Sequence, residues 1–231
     1  MTVRLYELAG DADDRLFSPY CWRARLALAH KGIAHETIPW RFTEKDAIAF
    51  SGQGMVPVLQ DGAREVHDSW AIALYLEETY PDRPALFEGP QARALAYTLK
   101  TWVERSVQPQ IFRAIMPDLY AHLHARDQAY FRESREKRFG MTLEQFGADP
   151  RGAITALRTA LDPARLAVAA EPFLCGAAPA FADYMLFGAF QWARVMSPAQ
   201  LLEPGDPLCA WRERMLDLYG GLARKARGYP V

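Results

Sequence analysis

The stretch Ser18-Pro19-Tyr20-Cys21-Trp22-Arg23 sets a hydroxyl immediately before a proline and an apolar-periodic run. Pro at the first helical position and Ser before it are a helix start signal. A helix N-terminus presents free N–H groups and the positive end of its dipole, so an anion is favoured there. If that anion is a thiolate, Ser18 can donate a hydrogen bond to it and lower the thiol pKa. The hydroxyl is not acidic enough to act as a base, so its role is that of donor. The same residue also reads as an ordinary N-cap, and spacing alone leaves both roles open.

Two further stretches carry usable groups. In Met55-Val56-Pro57-Val58 a proline begins an apolar run, which makes Val56-Pro57 a candidate cis bond and Val56 a candidate free strand edge for an extended peptide. A trans proline opening an edge strand fits the same letters. Asp68-Ser69 closes one segment and opens another. Ser69 offers a hydroxyl and N–H groups to a carboxylate, and Asp68 a carboxylate to an ammonium, a pairing suited to the α-amino acid end of a γ-glutamyl group. Plain N-capping is the alternative.

The elements that must hold these groups follow from periodicity. Val3 to Leu8 alternates as a strand, and a helix runs from Pro19 to a stop at Gly32. His35 to Pro39 reads as a strand and Thr43 to Phe50 as a short helical or irregular piece. Pro57 to Gln60 and Glu65 to His67 flank Asp61-Gly62 as a hairpin, and Ser69 to Tyr80 is helical. Tyr80-Pro81-Asp82-Arg83-Pro84 has linker composition, and strand signals end there. The expected helices beyond are Gln91 to Leu123 with kinks or breaks at Pro109 and Pro117, Arg126 to Phe146, Ala153 to Ala170, Phe181 to Val195, and Leu208 to Leu222. The reading is an α/β domain over 1–84 followed by an all-helical domain over 91–231.

With 231 residues and a net charge of −1, the chain can bury a sizeable core and has no basic surplus for nucleic acid. No apolar run is long enough to span a bilayer and the N-terminus has no leader pattern, so a cytoplasmic protein without membrane contact is expected. Cys21, Cys175 and Cys209 are widely spaced and suggest neither disulfides nor a zinc site. His122 and His124 cannot share a helix face, and no metal is expected.

The order and spacing of Ser18-Pro19-Tyr20-x-x-Arg23, Val56-Pro57-Val58-Leu59, Asp68-Ser69-Trp70-Ala71-Ile72 and Tyr80-Pro81 resemble the glutathione transferase family. Phe173-Leu174-Cys175-Gly176 and Phe181-Ala182-Asp183-Tyr184 extend the resemblance into the helical half. It implies a thioredoxin-like N-terminal domain, an all-helical C-terminal domain, glutathione as co-substrate and a homodimer. It assigns Ser18 to the glutathione sulfur, Val56 with Pro57 to the cysteinyl backbone, and Asp68 with Ser69 to the γ-glutamyl group. Gln53 and Lys45 are candidates for the glycine carboxylate. Tyr20, Tyr97, Trp102, Phe112 and Tyr120 are candidates for the wall of a hydrophobic electrophile pocket. Within the family, Ser-Pro-Tyr-x-Trp-Arg resembles bacterial β-aryl etherases and related fungal enzymes, which makes ether cleavage one reaction to consider.

Many members of the family have Glu in place of Asp68, and a Ser or Thr cap in place of Ala180; loss of such a cap typically costs about 1 kcal/mol. Cys21, three residues after Ser18, keeps open a glutathione-dependent thiol-disulfide reductase, although a buried helix thiol without chemistry fits the position. A protein that binds glutathione and a hydrophobic ligand without turnover is the other alternative. The mixed charges of Arg132-Glu133-Ser134-Arg135-Glu136-Lys137-Arg138 read as a solvated helix face.

Overall fold

The computed structural model describes residues 2–230. Strands β1 (Val3–Leu8), β2 (His35–Trp40), β3 (Val58–Asp61) and β4 (Arg64–His67) form one sheet in the order β2-β1-β3-β4. The β1–β2 pair is parallel and joined through helix α1 (Pro19–His30), whereas β1–β3 and β3–β4 are antiparallel. Helix α2 (Ser69–Thr79) follows β4, and from Gly89 onward every regular element is helical. This is a thioredoxin-like sheet followed by a helical region.

Register determines what the sheet gathers. Tyr6 pairs with Val58 and Val58 with His67, while Leu8 lies beside Trp40. The end of β1, the end of β2, the start of β3 and the end of β4 therefore meet at one edge. The segments carrying Ser18, Lys45, Gln53 to Pro57, and Asp68-Ser69 all open from that edge.

Helix α1 has a sequence-encoded start and stop. Ser18 Oγ accepts from Cys21 N at 3.3 Å, and Pro19 takes the first helical position. At the other end Gly32 sits at φ 64°, with Ile33 N bonded to Leu28 O and Gly32 N to Ala29 O. That pairing closes the last turn and needs a residue without Cβ strain. A seven-residue 3₁₀ segment, Lys45–Ser51, occupies the short helical piece expected at Thr43 to Phe50.

Several boundaries differ from the sequence reading. The hairpin turns on Gly62 and Ala63, not Asp61 and Gly62, because Asp61 stays in the ladder opposite Arg64. Its carboxylate accepts from the hydroxyls of Tyr75 (3.0 Å) and Tyr80, which anchors it to the sheet. The long helix after the linker does not break at Pro109. Helix α3 (Gly89–Trp102) passes through a π segment (Val103–Val107) into α4 (Gln108–Ala121), and the wider π turn accommodates the missing Pro109 N–H. Helix α4 continues through Pro117, held by buried Ile115, Met116 and Leu119.

The stretch expected as one helix from Arg126 to Phe146 is two, α5 (Ala125–Phe139) and α6 (Leu143–Phe146). Gly140 at φ 68° ends the first, and a Thr142/Gln145 capping box begins the second. Likewise α7 (Pro150–Ala160) and α8 (Asp162–Ala170) replace one expected helix, since Pro163 fits the first turn of a new helix better than the middle of an old one. Helix α9 (Phe181–Met196) is almost wholly buried, and α10 (Pro207–Lys225) is interrupted at residues 218–221.

Helix α9 ties the two halves together by lying along α1. A Cβ on Gly188 would sit 2.6 Å from the Pro19 carbonyl oxygen, so only glycine permits this approach beside the Ser18 helix start. Missing its side-chain cap at Ala180, α9 relies on Asp183, whose carboxylate accepts from Ala180 N (3.2 Å), Leu174 N (2.8 Å) and Trp211 Nε1 (2.9 Å). No helix among the described residues is long and apolar enough to cross a membrane.

Candidate active site

Ser18 is 4% exposed at the tip of α1, facing the edge where the strand ends meet. Phe17 N donates to Leu8 O at 3.1 Å and Trp22 Nε1 to Leu16 O at 2.9 Å, so the loop after β1 returns Ser18 to the sheet on fixed bonds. The Ser18 oxygen accepts from Cys21 N, and among the described residues its hydroxyl donates to no nitrogen or oxygen, with the Cys21 thiol beside it. A hydroxyl has one donor and two acceptor positions. Capping and donation to a ligand are thus compatible, and the two sequence readings of Ser18 are not rivals.

Val56-Pro57 is a cis peptide. Val56 lies outside the ladder, which begins at Val58, and among the described residues its amide and carbonyl make no turn or loop hydrogen bond. On the far side, Asp68 adopts φ 70° and caps α2 through Trp70 N (2.9 Å) and Ala71 N (3.1 Å). A non-glycine residue in that region is uncommon and gathers at ligand sites. Ser69 is 1% exposed, and its buried hydroxyl has no partner. The free Val56 backbone and the unpartnered Ser69 hydroxyl are unused polar groups at one edge, where buried polar groups are normally spent.

The remaining candidates for this edge are placed less uniformly. Lys45 Nζ donates to Gly54 O at 2.6 Å and stands over the rings of Trp40 (4.9 Å) and Tyr130 (5.2 Å). It closes the loop that carries Val56. Gln53 is half-buried in that loop and makes no side-chain hydrogen bond among the described residues.

Above the edge, α4 and α5 contribute aromatic surface. Tyr20 OH donates to Gln108 Oε1 at 3.0 Å, and Phe112 lies one turn further along the same helix. Phe112 and Tyr120 both meet Phe131, with ring centroids 6.4 and 6.3 Å apart. Phe42 joins them from the sheet side, packing on Phe17 (6.4 Å) and Phe131 (5.8 Å). Asp127, fully buried, fixes this junction by accepting from Phe42 N, Thr43 N and Thr43 Oγ1 at 2.7 to 3.0 Å. Tyr97 belongs to a different group, edge-on to Trp70 at 5.2 Å and 53% exposed, and Trp102 is half-buried outside both.

The ionisable groups sort structure from chemistry. Burial and the nearby Glu7 carboxylate push the Cys21 thiol up to about 12, so it stays protonated at neutral pH. Arg23 is 1% exposed and pairs with Glu104 at 2.7 Å, which also holds Lys100 at 2.9 Å. Burial raises the Glu104 carboxyl, but Lys100 and Arg23 outweigh it and hold the group below the usual carboxylate range. This network pins the π segment to α1. The sequence signalled Arg23 but not its partner, because nothing local marks Glu104. Asp127 and Phe42 were missed for the same reason, being linked across more than eighty positions. The face read as solvated is in part buried: Arg135 stands over Phe42 at 5.3 Å and Phe131 at 4.8 Å.

A family model of the glutathione S-transferase N-terminal domain matches residues 17–79, and one of the C-terminal domain matches residues 94–204. The structure is similar to glutathione transferase GSTFuA3 from Phanerochaete chrysosporium, with 29% identity, a TM-score of 0.78, and 96% of this chain and 92% of that one covered. The fold is also that of CsGST63524 of Ceriporiopsis subvermispora, solved in complex with glutathione, at 23% identity, TM-score 0.78, and 97% and 94% coverage. Among curated proteins, glutathione S-transferase Z1 of Arabidopsis thaliana is 37% identical over 92 residues, which is 38% of this chain and 42% of that protein. Maleylacetoacetate isomerase of Rattus norvegicus is 34% identical over 95 residues, 38% and 44% of the two chains. These matches span less than half the length of either curated relative.

Proposed function

The chain belongs to the glutathione S-transferase family, and from that premise we propose that it binds glutathione along the Val56 edge and activates its thiol at Ser18 for attack on a hydrophobic electrophile. The observation that carries the reading is the set of unspent polar groups at one sheet edge. Ser18 has a proton to give, Val56 a free backbone pair, and Ser69 a buried hydroxyl without a partner. Glutathione supplies one match for each: a thiolate, a cysteinyl backbone, and a γ-glutamyl carboxylate beside an ammonium for Asp68.

The chemistry needs little more. The thiol releases its proton to solvent, and the thiolate is stabilised by the Ser18 hydroxyl and the α1 N-terminus. Its sulfur forms a bond to an electrophilic carbon, and the leaving group departs with the bonding electron pair. In an aryl ether the departing group is an alkoxide or phenoxide, which then takes up a proton. Rate is gained from the larger thiolate fraction and from holding sulfur and carbon together. Tyr20, Phe112, Tyr120 and Phe42 form the apolar wall that accepts an aromatic electrophile. Tyr97, which packs beside Trp70, fits a second role with exposed Leu95 on α3, as part of a homodimer contact. Sedimentation of the purified chain tests that association.

A disulfide reductase running on Cys21 finds no support, since the thiol is 1% exposed and held protonated. The test of the transferase reading is the rate of glutathione conjugation to 1-chloro-2,4-dinitrobenzene. Loss of one donor to the reacting anion should cost roughly 100-fold in kcat for Ser18→Ala, with glutathione binding largely kept. Equal rates for wild type and Ser18→Ala would remove Ser18 from the chemistry. Glutathione binding without any turnover in wild type would make this a binding protein.

A further inference from the structure

Several arginines in this chain are paired with carboxylates. Arg25 meets Glu7 at 2.6 Å, Arg23 meets Glu104, and Arg132 meets both Glu136 and Glu144. Arg135, one turn along α5 from Arg132, is different. It has no ion pair among the described residues, and its side chain makes one hydrogen bond, from Nη1 to Ser134 Oγ at 3.1 Å. A guanidinium carries five N–H donors, so most of this one is unassigned. It is half-buried over the adjacent rings of Phe42 (5.3 Å) and Phe131 (4.8 Å), whose centroids lie 5.8 Å apart.

Enclosing a cation without a counter-charge is costly, and aromatic faces offset only part of the cost. Burial, with Arg138 nearby, holds the Arg135 guanidinium below its usual range. Arg138, over the ring of Phe139 at 5.9 Å, also lacks a carboxylate partner among the described residues. It is close enough to Tyr20 to act on the ionisation of that phenol. Tyr20 belongs to the first turn of α1. Arg135 is joined to it through Phe42, whose ring packs on Phe17, the residue before Ser18.

We infer that Arg135, assisted by Arg138, makes the electrophile site selective for aromatic compounds bearing a carboxylate. The arene would lie against the Phe42, Phe112 and Tyr120 rings, and its carboxylate would take the free edge of the Arg135 guanidinium. A planar fork resting over aromatic rings can make two parallel N–H···O bonds to a carboxylate, which a lysine cannot reproduce. This inference rests on the reading of that site as the electrophile pocket and narrows its substrate class.

Binding separates the inference from the activity. The heat of binding of 1-naphthoate and of its uncharged analogue 1-naphthamide is measured with glutathione present. Wild type should bind the acid about tenfold more tightly than the amide, the size expected for a charge-assisted pair. Arg135→Gln should bring the acid down to the affinity of the amide while leaving the amide within about twofold, because only the charged contact is lost. Arg135→Lys should keep part of the preference, and Arg138→Gln should lower it by about threefold, as a more exposed charge acts through solvent. Equal affinity of wild type for the two ligands, failure of both to bind, or an equal loss of both in Arg135→Gln would overturn the inference. Intact acid preference in a protein that conjugates glutathione neither to 1-chloro-2,4-dinitrobenzene nor to its carboxylated analogue 4-chloro-3,5-dinitrobenzoate would instead sink the transferase reading and leave the anion site standing.

Discussion

Helices α1 and α9 lie against each other, and both begin with an atypical arrangement of polar groups. The start of α9 has no capping side chain at Ala180, yet Asp183, fully buried, collects three N–H donors from Ala180, Leu174 and Trp211. Both of its oxygens are used. The start of α1 has a good cap in Ser18, but the hydroxyl proton is unspent, and the Ser69 hydroxyl and the Val56 backbone at the same sheet edge are unspent with it. One helix start is closed and holds the fold. The other leaves polar groups unspent, and the proposed function assigns glutathione to them. Polar groups at the two starts should therefore answer differently when removed: at α9 the loss should appear in stability, at the α1 edge in binding and rate.

The largest effect is expected at α9. Asp183→Ala strands three buried donors at once and should lower the free energy of unfolding by about 3–5 kcal/mol, read by urea denaturation. A loss below about 1 kcal/mol would mean that water replaces the carboxylate and that the α9 start is not closed. Next is the seam between the helices. Gly188→Ala forces a methyl against the Pro19 carbonyl oxygen and should cost roughly 1–3 kcal/mol, with a parallel fall in conjugation rate because the Ser18 helix tip must shift. Unchanged activity at reduced stability would separate the seam from the site.

At the open edge the signs should split. Ser69→Ala removes a buried hydroxyl that has no partner, so stability should hold or rise slightly, whereas glutathione affinity should fall about tenfold by calorimetry. A stability loss without a binding loss would place Ser69 with Asp183 among the structural groups. The smallest effect is expected at Cys21, just inside the helix start. Its folded thiol titrates near 12 from an ordinary value of 9.0, so its contribution to stability is complete below 9.0 and is lost as pH rises toward 12, when the unfolded chain ionises first. Wild type should therefore lose stability relative to Cys21→Ala as pH rises from about 9 toward 12, with conjugation at neutral pH unchanged by the substitution.

The same contrast explains what could be read from the letters. The α1 start was legible because its signals are local: Ser18 before Pro19, and Gly32 at the far end, describe one helix completely. Val56-Pro57 and Asp68-Ser69 were legible as candidate groups for the same reason, and the strand register then brings them to one end of the sheet. The helical half was harder. Pro109 reads as a breaker, and nothing local shows that a π turn ahead of it absorbs the missing donor. Gly140 and the Thr142/Gln145 box were local signals for the end of α5 and the start of α6, but the charge-rich pattern on either side masked them. Glu104, Asp127 and Phe42 carry no mark of their own. Their roles come from partners 81 to 85 positions away, so they exist only once the chain has folded. Arg135 lies within a run of mixed charge, and only the placement of Phe42 and Phe131 shows that it is not a solvated surface residue.

The central claim is that the open helix start stabilises a thiolate through Ser18. Its most direct test is the ultraviolet difference absorbance of glutathione bound to the protein, followed across pH in wild type and in Ser18→Ala. The account predicts that the thiol bound to wild type ionises at least about one pH unit below the free tripeptide, the size of shift a hydrogen bond to the charged form gives, and that Ser18→Ala returns it most of the way. If glutathione bound to wild type titrates like the free tripeptide, the claim is wrong.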